Sequence, residues 1–227
     1  MAEQSNETRS RLILVVGTSI IGIVGNAICA YIESGWIGGA VLTFLIVGII
    51  AIDTFRRNDD LFKKLLLFGL ITGILELATD HWAVAVTETL VYPSQPLLWS
   101  SPFFMPLSWT IIMVQFGFIA LFLLERWGMF VAIIGASVLG GINIPLYEFL
   151  SSKAGFWHYQ NCAMIFDTTP YYVIFGEVLL ASPLAWIALQ INKGNQKTAL
   201  GFGILEGAWI LVGSVLSYAL FGKIGMG

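Results

Sequence analysis

"LILVVGTSIIGIVGNAICAYI", residues 12–32, contains no charged residue. As a helix rising 1.5 Å per residue it exceeds the roughly 20 residues needed to cross about 30 Å of hydrocarbon. Similar apolar stretches follow near 36–54, 62–83, 104–124, 129–150, 171–191 and 199–221. With 57% hydrophobic and 11% charged residues in 227, and a mean hydropathy of +0.84, the chain lies outside the composition of soluble domains. The pattern predicts an all-α membrane protein: a single seven-transmembrane-helix bundle over residues 1–227, integral and multi-pass.

The cations orient it. Alternating the spans assigns Arg9, Arg11, Arg56, Arg57, Lys63, Lys64, Arg126, Lys193 and Lys197 to one side, and Lys153 and Lys223 to the other. Lys and Arg near span ends are retained in the cytoplasm, so the N-terminus is expected inside and the C-terminus outside. The first eleven residues, "MAEQSNETRSR", lack the basic character of a secretory n-region, and the first span is expected to be retained. Cys29 and Cys162 both fall toward the outer side and are read as two unpaired thiols in apolar sites rather than a disulfide. Pro145 and Pro183 lie within spans and predict kinks there.

Of fourteen carboxylates, Glu3, Glu7, Asp53, Asp59, Asp60 and Glu125 sit at the basic face and read as surface charge. The other eight, Glu33, Glu76, Asp80, Glu88, Glu148, Asp167, Glu177 and Glu206, fall within the membrane or on the outer side. Asp80, His81, Glu88, Glu148 and Asp167 are close enough to the surface to be solvated. Glu206, in the inner half of the last span, reads as a structural acid.

The stretch "ITGILELATDHW", residues 71–82, concentrates the problem, because an apolar run there carries Glu76, Asp80 and His81. Glu76 and Asp80 are four apart and share a helix face. Counting along the helices puts Asn26, Glu76, Asn143 and Glu177 at one level in the outer third, with Tyr147 a turn above Asn143. An ionisable group in hydrocarbon costs roughly 2.5–3.5 kcal/mol, and such groups usually face a bundle interior with a function.

Several chemistries lack their residues. A retinal Schiff base needs a lysine within a span, and every lysine here lies at an end or in a loop. Di-iron sites rely on many histidines, and His81 and His158 are the only two. Prenyl transfer needs acids that hold Mg²⁺ with cations around a diphosphate; the acid-rich side has almost no cation, and the "NDD" at 58–60 lies in a basic loop. No metal site and no cofactor are expected.

What remains is an apolar cavity lined by acids and aromatics. Apolar surroundings favour a neutral carboxylic acid, which can protonate an alkene. The faces of Trp82, Trp157, Tyr159, Tyr171 and Tyr172 can stabilise a carbocation by about 0.5–2 kcal/mol per contact, although each also suits an interfacial belt.

"IPLYEFLSSKAGFWHYQN" at 144–161, followed by "TTPYYVIFGEVLL" at 168–180, resembles the layout of small membrane carotenoid-pathway proteins, the lycopene cyclase domain and the carotenoid hydratases. The matching elements are Glu148, Trp157 with Tyr159, Pro170 and Glu177. "SPFFMPLSW" at 101–109, with Pro106 and Trp109, resembles the hydratase-like start of the fourth helix. Size and layout are also similar to the membrane-bound meroterpenoid cyclases. Pro170 is followed by Tyr171, Tyr172 and Val173 where lycopene cyclases have a Pro-x-Glu-Glu pair, so β-ring formation is the less favoured reaction.

The resemblance implies a membrane enzyme of carotenoid or other terpenoid metabolism, acting by acid-initiated cyclisation or hydration of a double bond or epoxide. The expected catalytic residues are Glu76, Glu177, Asp80, His81 and Glu148. Asn26, Trp82, Asn143, Tyr147, Trp157, Tyr159, Tyr171 and Tyr172 are expected to contact substrate. A hydrophobic isoprenoid and membrane lipid are the expected partners, with no role for nucleic acid. The same acids fit a proton- or cation-coupled transporter, or a non-catalytic pigment- or lipid-binding subunit.

Overall fold

The computed structural model describes residues 2–222, with side chains from residue 6 onward; Glu3 and Lys223, both counted above, lie outside that description. Seven helices carry the chain: α1 (Ala2–Tyr31), α2 (Gly35–Arg56), α3 (Asp60–His81), α4 (Met105–Ala154), α5 (Tyr171–Ala181), α6 (Leu184–Lys193) and α7 (Gln196–Phe221). It is an all-α membrane protein. Among the described residues, five stretches are long and apolar enough to cross a bilayer: Asn6–Tyr31, Gly35–Arg56, Met105–Ala154, Tyr171–Lys193 and Gln196–Phe221.

α4 differs most from expectation. Its fifty residues would form a rod of about 75 Å, yet Gln115 and Asn143 line the same cavity. A Cβ built on Gly135 would lie 2.8 Å from Leu123 Cδ1. The chain therefore folds back, at Gly128, whose φ of 82° and ψ of 173° interrupt the helix. Glycine adopts that positive φ without a side-chain clash. The arms 105–127 and 129–154 correspond to the expected fourth and fifth spans, joined by one residue instead of a loop.

Pro145 keeps helical φ/ψ within the second arm, whereas Pro183 follows the break between α5 and α6, since its ring cannot donate to the preceding turn. α1 begins ten residues before the expected span and carries Arg11 to Asp59. Arg11 Nε and Nη2 donate to the Asp59 carboxylate at 2.8 and 2.9 Å, and Asp59 caps α3 by accepting from Phe62 N at 3.1 Å. Burial pushes the Asp59 carboxyl up, but the Arg11 hydrogen bond, the Phe62 amide and the charges of Arg11 and Arg57 outweigh it and hold it below its usual value. Asp59 is thus a buried partner, not surface charge. Lys64 is buried too, donating to the carbonyls of Asn192 and Gly194 at 3.0 and 3.1 Å, where cations suit the end of α6.

α3, the most charged of the long helices, occupies the interior between α4 and α7. Small residues permit this approach: a Cβ on Gly73 would sit 2.3 Å from Pro106 O, and one on Gly207 2.5 Å from Leu75 Cβ. The apolar core gathers Phe62, Leu65, Phe68, Met113, Leu184 and Ile191 around it, each fully buried.

After α3 the backbone makes a π-helical turn, Trp82–Val86. The segments 87–104 and 155–170 then gather over one end of the bundle. They contain β1 (Leu90–Val91), β2 (Leu97–Leu98), β3 (Ser101–Pro102), β4 (His158–Tyr159), β5 (Met164–Ile165) and β6 (Thr169–Pro170). β1 pairs antiparallel with β4, Leu90 opposite Tyr159, and so ties the two segments into one cap. Cys29 and Cys162 are free and buried; burial pushes the Cys162 thiol up to about 11.

Candidate active site

Beneath the cap lies a cavity of about 270 Å³. Four acids line it. α3 supplies Glu76 and Asp80, which are on one face because they are four residues apart; the second arm of α4 supplies Glu148, and α5 supplies Glu177. Glu76, Asp80 and Glu148 are buried, and Glu177 is half-buried. Their carboxyls lie within electrostatic reach of one another: Asp80 and Glu177 act on Glu76, Asp80 on Glu148, and Glu148 on Glu177. Among the described residues, no lysine, arginine or histidine lines the cavity.

Two acids are anchored and two are open. Asp80 Oδ2 accepts from the Tyr92 hydroxyl at 2.6 Å and from the Ser101 hydroxyl. Glu148 accepts from Trp157 Nε1 at 2.6 Å and from the Tyr159 hydroxyl at 3.3 Å. The donors come from the cap, so the cap fixes these carboxylates. Burial, then the Asp80 charge, pushes the Tyr92 phenol well above its ordinary value; burial, then Glu148, does the same to Tyr159. Both phenols therefore remain donors. Glu76, by contrast, takes no donor from the cap: its carboxyl shares a hydrogen bond with Asp80 and its Oε2 is buried without a partner, while among the described residues Glu177 has no hydrogen-bond partner. An acid that delivers its proton to a ligand needs an unclaimed oxygen; Glu177 has one, and Glu76, bonded to Asp80, can draw a proton through it.

Of the residues expected at the site, Asn26, Trp82, Asn143, Tyr147, Trp157, Tyr159 and Tyr172 line the cavity together with the four acids. His81 and Tyr171 do not. His81 is one residue past Asp80, about 100° around the helix; it shares a hydrogen bond with the Ser100 hydroxyl at 2.8 Å and stacks on Trp99 with centroids 4.3 Å apart. Tyr171 opens α5 facing outward, 42% exposed, while Tyr172 turns inward to the Thr89 hydroxyl at 2.9 Å. Among the acids left open to solvation, Glu88 and Asp167 are exposed, but Asp80 and Glu148 are buried.

Tyr92 and Ser101 are contacts to a cavity acid that the sequence alone does not disclose. The proximity of "YP" and "SP" to a buried acid in the chain was their only signal, because their pairing depends on the path of the cap. Glu206 does not read as a structural acid: it is 1% exposed, and both carboxyl oxygens lack partners.

Residues 77–221 match the family described as Domain of unknown function (DUF6989). The chain belongs to the DUF6989 family. The matched region contains Asp80, Tyr92, Glu148, Trp157, Tyr159 and Glu177, and stops one residue short of Glu76. No curated protein and no solved structure matches the chain.

Proposed function

We propose that this DUF6989 protein is a multi-pass membrane enzyme that protonates a double bond or epoxide of an isoprenoid and directs the resulting cation to cyclisation or hydration. Counting the two arms of α4 separately, α5 with α6 as one, and adding α3 gives seven spans, with the arginine- and lysine-rich end in the cytoplasm and the cap outside. One observation supports the chemistry: Glu76 and Glu177 line one cavity whose remaining wall is largely aromatic and apolar, and among the described residues the Glu177 carboxyl has no hydrogen-bond partner. The likeness of 144–180 to carotenoid cyclases and hydratases supplies the substrate class.

The proton of Glu76 or Glu177 adds to one alkene carbon, leaving a carboxylate and a carbocation. An epoxide instead takes the proton on oxygen, and its C–O bond breaks. In cyclisation a second double bond attacks the cation, and loss of a proton to a carboxylate restores the acid. In hydration, water attacks, and its surplus proton returns the same way. Neither course needs a redox partner. Trp82, Trp157 and Tyr159 line the cavity where their rings can meet the cation, and Asp80 and Glu148, held by the cap, are placed to relay the proton or receive it at the end of the reaction. Pockets of about 300–1,000 Å³ hold drug-sized ligands, so the cavity accommodates one end of a long isoprenoid while the remainder lies among the helices or in lipid.

The test is incubation of the protein in lipid nanodiscs with isoprenoid hydrocarbons and epoxides in D₂O. Products carrying deuterium are expected from the native chain, with a loss of about 10²-fold or more in Glu76→Gln or Glu177→Gln. Unchanged turnover in both variants sinks the mechanism.

A second reading, a proton- or cation-coupled transporter, draws on Glu206. It lies one turn from Ile210 of the cavity wall, toward the basic end, and within electrostatic reach of Glu177, so the acids extend past the cavity. pH-dependent flux into liposomes without chemical conversion would favour it. A coloured or lipidic molecule that co-purifies and is never turned over would favour a binding subunit.

A further inference from the structure

Three of the four acids share one level of the cavity, with Asp80 nearer the cap. Glu76, Glu148 and Glu177 lie about 8–9 Å along their helices from the capped ends, whereas Ser19, Gln115 and Asn143 lie about 15–18 Å from them; Asn143, expected level with Glu76 and Glu177, sits deeper because the second arm of α4 runs on to Ala154. This deeper level is polar and uncharged. Tyr147 bridges the two: it is one residue before Glu148 and one turn from Asn143, and its hydroxyl would lie 3.0 Å from a Cβ on Gly22 of α1. Among the described residues, the hydroxyls of Ser19 and Tyr147 and the amide of Asn143 have no hydrogen-bond partner, although all three line the cavity. Gln115 is different, since its Nε2 donates to the Thr18 hydroxyl at 3.0 Å and is thereby oriented.

Unpaired polar groups in a membrane interior are costly, and a cavity built only for hydrocarbon would gain by replacing them with aliphatic side chains. We propose that the deeper level is a subsite for a neutral oxygen function, a hydroxyl or carbonyl, on the same ligand whose double bond reaches the acids. The substrate class is then an oxygenated isoprenoid rather than a pure hydrocarbon. Asn143 offers two N–H donors and a carbonyl, and each hydroxyl both donates and accepts, so the set suits an oxygen that does the same. It suits neither a carboxylate nor an ammonium group, because no formal charge lies at that depth. Sites built to pair a ligand hydroxyl discriminate strongly against the analogue that lacks it, whose binding strands their own polar groups. The inference rests on the isoprenoid reading for the ligand skeleton, but its test measures binding alone.

Farnesol and the hydrocarbon of the same skeleton without the hydroxyl are the probes. Both are titrated into the protein in nanodiscs and followed by the fluorescence of Trp82, Trp109 and Trp157, which line the cavity. Native protein is expected to prefer farnesol by about tenfold or more relative to Asn143→Leu, a ratio in which lipid partitioning cancels. Tyr147→Phe and Ser19→Ala, which remove only partnerless oxygens and so leave folding intact, should each lower the preference several-fold. An equal preference in native, Asn143→Leu and Tyr147→Phe proteins, or no binding of either compound, overturns the subsite. If the native preference exceeds that of the variants but no turnover is ever found, the subsite stands and the enzymatic reading falls.

Discussion

Tyr92, in the cap, donates its hydroxyl to Asp80 Oδ2 at 2.6 Å, so a loop residue holds an acid of the interior helix α3 in place. Tyr92→Phe removes that donor and leaves only Ser101 on the same oxygen. Hydrogen bonds to charged groups are worth about 1.5–3 kcal/mol, and thermal unfolding in detergent should show a loss of that order. If Asp80 acts by position, kcat should fall further than KM rises, and the conservative Ser101→Thr should retain more activity than Ser101→Ala.

Trp157 holds Glu148 in the same way. Trp157→Phe keeps an aromatic face on the cavity and deletes the N–H, separating the ring's role from the anchor's. A fall of about tenfold in turnover identifies the anchor; unchanged turnover leaves the ring as the contribution of Trp157.

Glu206 carries the opposite liability, since nothing pairs its buried oxygens. An unsatisfied buried polar group costs about 1–3 kcal/mol, so Glu206→Met, of similar length, is expected to raise the unfolding temperature. A lower one would mean that Glu206 has a partner, such as a bound ligand.

Gly73→Ala places a methyl against the backbone oxygen of Pro106, which cannot move aside as a side chain could. Overpacking of this kind costs about 1–3 kcal/mol. Because the strain separates α3 from α4, ligand binding in the cavity should weaken along with stability.

At the basic end, Asp59 is held below its ordinary value of about 3.9. Its contribution to stability is therefore full above that unfolded value and is lost as pH falls through the lower folded one. In Arg11→Met, where burial is left to push the carboxyl up, this acid-side loss should shrink or vanish while stability at neutral pH falls; identical acid unfolding of native and variant protein would rule out the pair as its source.

These sites differ in how far the sequence discloses them. Glu76 and Glu177 could be paired by depth counting, because both lie on regular helices with a fixed rise. Pro183 marked its own break, since proline acts locally. Gly128 did not, as a single glycine near Arg126 looks like any short loop until the arms are seen folded together. Asp59 and Lys64 looked like solvated charge because their partners are 48 and 128 residues away. Tyr92, likewise, could not be tied to Asp80 without the pairing of β1 with β4.

The position of α3 also bears on biosynthesis. Among the described residues it is absent from the stretches long and apolar enough to cross a bilayer, and the glycines that accommodate it include Gly207 on α7, far later in the chain. The third helix is therefore expected to settle between its neighbours only once α7 has been made. A chain ended after Lys193 is expected to leave α3 extractable by alkali, because the wall that α7 gives the cavity is missing.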